Sequence, residues 1–301
     1  MKIAFYYESP DRIGRNDGPP LYWKYAATKL LGKENVLHLI PDGNWDRFKD
    51  IDLHFWVDWG EDALAPFLPY TPKLPPSPRV YVCSDAHLGF DYRFNMAKKF
   101  DFVFCNQLEH VEEFIKRGIP KERCMWLPHA AEPEAYPNTE QVKKYDVCFI
   151  GNMAGANRVE FLDKMFKEFP NFFYGKRLFE EAATIFKSSR IVLNLSVKDD
   201  VNMRVFETLC CGGFLLTNEL PGLSYLFEDK KHLVTYKTTE EAIEKAHYYL
   251  NHPEERERIA KQGHEECMKR HTYMHRLTTA LETLKNSDAV NNGHIQAIKV
   301  D

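Results

Sequence analysis

The stretch that most constrains what this chain can fold into runs from Ile191 to Thr217. Ile191–Leu195 is a short apolar, β-branched run, Val201–Cys211 has helical spacing, and Gly212-Gly213 ends that helix before the strand-like Phe214–Thr217. Strand, loop, helix and strand in this order make one crossover unit of a parallel sheet, in which the loop and the helix opening face the crevice at the carboxyl ends of the strands. Unpaired N–H groups and the helix dipole favour an anion there, so Asn202 and Met203 are candidates to present backbone N–H groups to a phosphate. Arg204 and Glu207 lie three apart in the first two turns and share a face. A guanidinium there suits a diphosphate, and a carboxylate one turn deeper can accept hydrogen bonds from a ribose diol. An i,i+3 salt bridge on a solvated face is the alternative for the same two residues.

The run Asn202-Met-Arg-Val-Phe-Glu-Thr-Leu-Cys-Cys-Gly-Gly-Phe-Leu-Leu-Thr217, followed by Leu220-Pro-Gly-Leu223 and by Tyr273-x-His-Arg276, resembles the CgeB-like (spore-maturation type) glycosyltransferases. These are relatives of glycosyltransferase family 4, and the resemblance is strongest from Tyr145 to about Leu284. It implies an α/β chain of two Rossmann-like domains facing a cleft (the GT-B fold), with a C-terminal helix crossing back to the first domain. It also implies metal-independent transfer of a sugar from a nucleotide-sugar donor, a UDP-sugar being favoured, to a hydroxyl acceptor with retention at the anomeric carbon. In family 4 the second member of an acidic pair separated by seven residues grips the nucleotide ribose. Glu207 matches that member and the first position falls on Asp199. An Arg and a Lys at strand ends serve the donor diphosphate in that family, and Arg158 and Lys176 are the matching positions here.

Taken in order, Lys2–Tyr7 reads as a strand, Glu8–Pro20 as a polar loop and Leu21–Leu31 as a helix. That loop holds Gly14 and Gly18 but no G-x-G-x-x-G; Gly18 is a simple turn residue or, by the resemblance, an acceptor-side residue. Strands follow at Val36–Ile40, Leu53–Val57, Arg79–Cys83, Phe102–Cys105 and Cys124–Leu127, with a helix over Glu109–Arg117. Strands alternating with helices imply a parallel sheet covered on both faces. Polar residues gather past the strand ends, at Asp58-Trp-Gly-Glu-Asp62, Ser84-Asp-Ala-His87 and Asn106-Gln107. Asp85 and His87, two apart at a strand end, are candidates to take a proton from an acceptor hydroxyl, against a Ser-Asp turn with an incidental histidine. Asp58, Glu61 and Asp62 read as a solvated loop, and Trp56, Trp59, Phe90 and Tyr92 as buried aromatics before sugar-stacking ones.

Leu127-Pro-His-Ala-Ala-Glu-Pro133 and Tyr136-Pro-Asn-Thr-Glu-Gln141 have the composition of a linker, which places a boundary near 134–144 with His129 a packed hinge residue. The division is then 1–138, 139–285 and a polar tail from 286 to 301. The second domain opens on the strand Tyr145–Ile150, ending in Gly151-Asn152, where glycine lets a ligand approach the backbone. A helix over Val159–Glu168 and a strand over Asn171–Gly175 follow; past the central unit come a short helix near Gly222–Phe227, a strand at Leu233–Tyr236, and helices Thr239–Leu250, Pro253–Lys269 and Tyr273–Leu284.

A formal net charge of -4 gives no global field for a polyanion, which weighs against modified DNA as the acceptor; a glycan or a protein remains open. A non-catalytic nucleotide-sugar or glycan binder on the same fold is the second class of reading. No apolar run is long enough to span a bilayer and Met1–Tyr7 reads as a strand, so a cytoplasmic protein is expected. The seven cysteines are an odd number; Cys83, Cys105, Cys124 and Cys148 sit in or beside apolar runs and Cys210-Cys211 lack zinc spacing, so neither disulfides nor a metal is expected. Asp50-Ile-Asp52 matches the letters of a metal-binding Asp-x-Asp but leads into a strand rather than ending one, and is read as a chance match.

Overall fold

The computed structural model describes residues 1–6, 19–39, 49–58, 74–87, 89–153, 155–196, 198 and 200–287. Gly18, Trp59, Glu61, Asp62 and Asp199 lie outside the described residues. The chain divides into two units, Met1–Pro128 together with the chain from Tyr273, and His129–Thr272.

The first unit holds a six-stranded parallel sheet in the order β2-β1-β3-β4-β5-β6. Its strands are β1 (Ile3–Tyr6), β2 (Val36–Leu39), β3 (Leu53–Asp58), β4 (Arg79–Cys83), β5 (Phe102–Cys105) and β6 (Cys124–Trp126). β1 and β5 are continuous apolar runs rather than alternating ones, and β3, buried along its whole length, includes the polar His54 and Asp58. Helices α1 (Pro19–Leu31), α2 (Phe90–Ala97) and α3 (Leu108–Lys116) connect them. The last helix, α9 (Tyr273–Asn286), belongs to this unit, as expected of a returning C-terminal helix. Its Tyr273 ring lies 5.3 Å from Tyr22 and 5.6 Å from Trp23 of α1, and Arg276 Nε donates to the Pro128 carbonyl at 2.9 Å.

The second unit holds a five-stranded parallel sheet in the order β11-β10-β9-β7-β8. These strands are β7 (Tyr145–Ile150), β8 (Phe172–Gly175), β9 (Ser189–Asn194), β10 (Leu215–Asn218) and β11 (Val234–Tyr236). Helices α4 (Ala156–Glu168), α5 (Phe179–Ser188), α6 (Met203–Cys210), α7 (Thr239–Asn251) and α8 (Pro253–Arg270) surround it. Val147, Ile191, Leu193 and Leu216 meet Leu162, Met165, Ala246 and Ile259 in one core. Both units are thus Rossmann-like α/β layers, as the sequence implied.

Several expectations need correction. Asp58 is not in a solvated loop: it ends β3 fully buried, with Arg93 Nε of α2 2.7 Å from its Oδ2. Helices α2 and α5 were not foreseen, and the helix near Gly222–Phe227 is only a short 3-10 turn, Leu223–Tyr225, entered through Gly222 at φ +79°. The first unit ends at Pro128, ahead of the linker-like residues 134–144. Asp50 and Asp52 stand before β3, at its amino end, where both carboxylates engage Lys2. All seven cysteines are buried thiols.

Helix α6, which carries the central motif, is held against α8 through a glycine. A Cβ on Gly263 would sit 2.1 Å from the His232 carbonyl oxygen and 2.8 Å from Leu209 Cδ2, and the first of these is backbone that cannot rotate away. Gly263→Ala is therefore expected to destabilise the second unit by about 1–3 kcal/mol, the usual range for overpacking. A lowered urea midpoint at unchanged slope is the readout; an unchanged midpoint would mean that Gly263 is not packed against the His232 carbonyl and Leu209.

Candidate functional site

Because all strands of the second unit are parallel, their carboxyl ends share one edge. The chain leaves β7 for β8 on one side and then places β9 on the other, so the topological switch point lies between β7 and β9, where a ligand crevice is expected. The described residues that flank it are 151–153 and 155 on one side and 195, 196, 198 and 200–202 on the other. Arg158, on α4, bridges them: Nη1 donates to the Asn152 carbonyl at 2.8 Å and Nη2 to the Leu195 carbonyl. Its guanidinium also lies 5.4 Å from the Phe149 ring centroid. The Nε–H is buried and has no acceptor among the described residues. Burial, partly offset by Asp200, moves the Arg158 pKa below its ordinary value. Arg158 is thus first a strut between the two loops, with one desolvated donor left over.

The loop after β9 is held by a polar ladder along the same edge. Asn194 Nδ2 donates to Thr217 Oγ1 at 2.9 Å, its carbonyl accepts from Tyr236 Oη at 2.7 Å, and the Ser196 N–H donates to Asn218 Oδ1 at 2.9 Å. Ser196 Oγ meets Asp200 Oδ1. Asn202 is the N-cap of α6, with extended φ -77° and ψ 168°, but its side chain does not cap the helix. Instead Nδ2 donates to Asn194 Oδ1 at 3.3 Å, and the buried Oδ1 finds no donor among the described residues. The opening N–H groups of α6 thus receive no hydrogen bond from the N-cap side chain.

One turn on, Arg204 Nη1 donates to Glu207 Oε2 at 2.6 Å and Tyr136 Oη donates to Glu207 Oε1 at 2.8 Å. The i,i+3 salt bridge exists, but not on a solvated face, since the Glu207 side chain is only 7% exposed and that of Arg204 17%. The Arg204 guanidinium rests 5.1 Å from the Phe186 ring centroid of α5. Each carboxylate oxygen keeps lone-pair capacity beyond its one partner. Tyr136 is a residue the sequence reading missed: flanked by linker-like prolines, it gave no signal beyond being an aromatic there. Gly151 donates its N–H to the Gly175 carbonyl at 3.1 Å, Asn152 is exposed, and Lys176, just past β8, is exposed with no partner for its ammonium among the described residues.

A cavity of about 720 Å³ opens beside β10 and β11, lined by Leu220, Leu223, Phe227, Ser224, Glu219 and Asp229. Its carboxylates, Glu219 and Asp229, have the wrong sign for a diphosphate.

In the first unit, the loop Ser84–His87 after β4 is shaped by Gln107, whose Nε2 donates to the Ser84 carbonyl at 2.6 Å and whose Oε1 accepts from the Ala86 N–H at 3.4 Å. Asn106 Nδ2 donates to the Leu127 carbonyl at 2.8 Å, so the Asn106-Gln107 pair stitches strand ends together. Asp85 and His87 are half-buried on this loop, with the His87 ring 6.5 Å from that of His110. Trp56 is core, and Phe90 packs on Phe114 at 4.9 Å and under Arg117 at 4.7 Å. His129 is buried, as a packed residue should be. Among the described residues no cluster of His, Cys, Asp and Glu could hold a metal ion, and no helix is long and apolar enough to cross a membrane.

Residues 139–282 match the family described as glycosyl transferase-like. They are a glycosyltransferase domain. It contains the whole β7–β11 sheet with α6, and only Tyr136 of the Glu207 cluster stands outside it. Among solved structures the chain is similar to HepE of Anabaena, crystallised with UDP and glucose, at 15% identity and TM-score 0.64 over 94% of this chain and 99% of that one. It is similar to sucrose-phosphate synthase of Thermosynechococcus elongatus at 10% identity and TM-score 0.63, over 93% and 98%. A glycosyltransferase of Rickettsia africae matches at 10% identity and TM-score 0.60, over 95% and 100%. At such identities the likeness is one of fold, and the fold around the glycosyltransferase domain is GT-B. No curated protein matches the sequence.

Proposed function

We propose that the chain transfers a sugar from a nucleotide-sugar donor, a UDP-sugar being favoured, to a hydroxyl acceptor, without a metal and with retention. The observation that carries this reading is the buried Glu207 carboxylate, fixed by Arg204 and Tyr136 on the first two turns of α6 at the carboxyl edge of the glycosyltransferase domain. HepE, of the same fold, was crystallised with UDP and glucose, which supports the choice of UDP. The Asn202–Thr217 and Tyr273–Arg276 residues support the CgeB-like type within that class.

In this reading the lone pairs left on Glu207 accept from the ribose diol. The anomeric C–O bond breaks as negative charge grows on the departing diphosphate, and fixed donors aimed at that charge lower the barrier. The N–H groups at Asn202 and Met203, the Arg158 Nε–H, the free guanidinium nitrogens of Arg204 and the Lys176 ammonium provide that field, with Gly151 and Asn152 leaving room for the phosphates. The polar ladder from Asn194 to Asn218 holds these donors in place before the ligand arrives. Asp85 and His87 of the first unit are proposed to take the acceptor proton, and Asp199 and Gly18 to face the sugar and the acceptor.

A thermal-shift panel of UDP, GDP, dTDP and CDP with their common sugar conjugates, with and without EDTA, tests the reading. A ligand at about a hundred times its dissociation constant adds roughly 2.7 kcal/mol, or about 5–10 °C for a chain of this size. The expected result is a shift selective for UDP and its conjugates that EDTA leaves intact. A shift that EDTA removes and Mn²⁺ restores would overturn metal independence, and no shift with any nucleotide would overturn the donor site.

A further inference from the structure

We infer that Tyr136 is a positioning residue that makes this site prefer ribose over deoxyribose nucleotides, by fixing the plane of the Glu207 carboxylate; the inference rests on the ribose role proposed for Glu207. Tyr136 is 2% exposed and lies in a turn where the Glu132 carbonyl accepts from both Ala135 and Tyr136 N–H at 3.0 Å. The segment from Tyr136 to Asn138 is laid along α6. Tyr136 Oη reaches Glu207, its carbonyl accepts from Cys210 Sγ at 3.5 Å, and Asn138 sits where a Cβ on Gly212 would come within 3.1 Å of its Oδ1. Asn138 Nδ2 also meets His264 Nε2 at 3.2 Å, and His264 Nδ1 meets the Leu209 carbonyl at 3.2 Å. The hydroxyl is therefore delivered to Glu207 by a backbone that is itself fastened to the same helix.

The Tyr136 ring also neighbours, at 6.3 Å between centroids, that of Phe179, which opens α5 at φ +53°. An aromatic residue adopts that left-handed conformation only where its surroundings hold it. A carboxylate gripped at one oxygen rotates freely about its last side-chain bond, because that torsion is broad and two-fold. Arg204 holds Oε2 alone; Tyr136 holds Oε1, and the two together fix the plane and the direction of the remaining lone pairs. A ribose offers two adjacent hydroxyls to such a fixed pair of oxygens, whereas a 2′-deoxyribose offers one. The preference for ribose thus depends on the orientation of the carboxylate as well as its charge.

The test is calorimetric binding of UDP and 2′-deoxy-UDP to the wild-type chain, Tyr136→Phe, Glu207→Ala and the double variant. Wild type is expected to prefer UDP by about tenfold or more, the usual size of a hydrogen bond to a charged group. In Tyr136→Phe, which keeps the ring against Phe179, that ratio should fall to about threefold or less, and Tyr136→Phe should have no further effect on the ratio once Glu207 is Ala. Tyr136→Leu gives the same reading if Tyr136→Phe does not stay folded. A wild-type ratio retained in Tyr136→Phe while Glu207→Ala loses it would overturn this inference and leave the donor site standing. Equal weakening of both nucleotides would assign Tyr136 a packing role only, which also overturns it. A ratio near one in wild type would overturn the ribose role of Glu207 itself.

Discussion

Glu207→Ala should raise the dissociation constant for UDP by about 10- to 100-fold while leaving the chain folded. The first half follows from the carboxylate being the acceptor for the ribose diol: hydrogen bonds to a charged group contribute about 1.5–3 kcal/mol, and each 1.4 kcal/mol is tenfold. The second half follows from what the truncation leaves behind. Arg204 loses its Oε2 acceptor at 2.6 Å, but its side chain is 17% exposed and stacks on Phe186, so water can reach the orphaned nitrogen. The Tyr136 hydroxyl is more deeply placed, and loss of its Glu207 acceptor costs at most about 1–3 kcal/mol, a tolerable part of a typical 5–15 kcal/mol. Isothermal titration with UDP, beside a melting curve, separates the two halves. Wild-type affinity in a folded Glu207→Ala would sink the ribose assignment.

Much of this architecture was legible in the chain because parallel strands covered on both faces must be apolar throughout. Ile3–Tyr6 and Phe102–Cys105 could be found as runs without any contact information. The α6 motif was legible for a related reason: Arg204 and Glu207 share a face by helix geometry alone, and a helix after a strand must open at the carboxyl edge. What the sequence concealed is long-range pairing. Asp58 looks like the first of a polar loop, and Arg93, 35 residues later, together with Tyr81 makes its burial possible. The same arginine breaks the apolar pattern of Phe90–Ala97, which hid α2. The two carbonyls that Arg158 bridges, after different strands, also leave no mark in its neighbourhood. Tyr136 reaches Glu207 across 71 residues, again with no local sign. Helix α5 is the exception, since Glu180-Glu181 ahead of Ala182, Ala183 and Phe186 is a readable helix start that was passed over.

Breaking the Asp58–Arg93 pair is expected to be the most destabilising single change in the first unit. Both side chains are fully buried; Arg93 Nε stands 2.7 Å and Nη2 3.2 Å from the two carboxylate oxygens, and Tyr81 Oη donates to Oδ2 as well. Burial works to lower the Arg93 pKa, but the Asp58 charge, with Tyr81 and Cys83, outweighs it, so the net shift is upward and the guanidinium stays charged. Removing one member strands the other charge in the interior, which costs about 3–5 kcal/mol. Arg93→Met or Asp58→Leu alone should therefore lower the melting temperature by about 6–20 °C, at 2–4 °C per kcal/mol for a chain of this size. The double variant leaves no buried charge stranded, so it should be more stable than either single one, a coupling that a double-mutant cycle measures directly. The pair also bears on the candidate acceptor side: Arg93 anchors α2 to the end of β3, and the loop Ser84–His87 leads into α2 through Gly89 at φ +115°. Loss of the anchor should free that loop along with the helix, visible as faster amide exchange from Asp85 to Ala97 than in the α6 region of the other unit. Single variants that melt within a degree of wild type would mean that the two charges are solvated, and that something else holds α2 on the sheet.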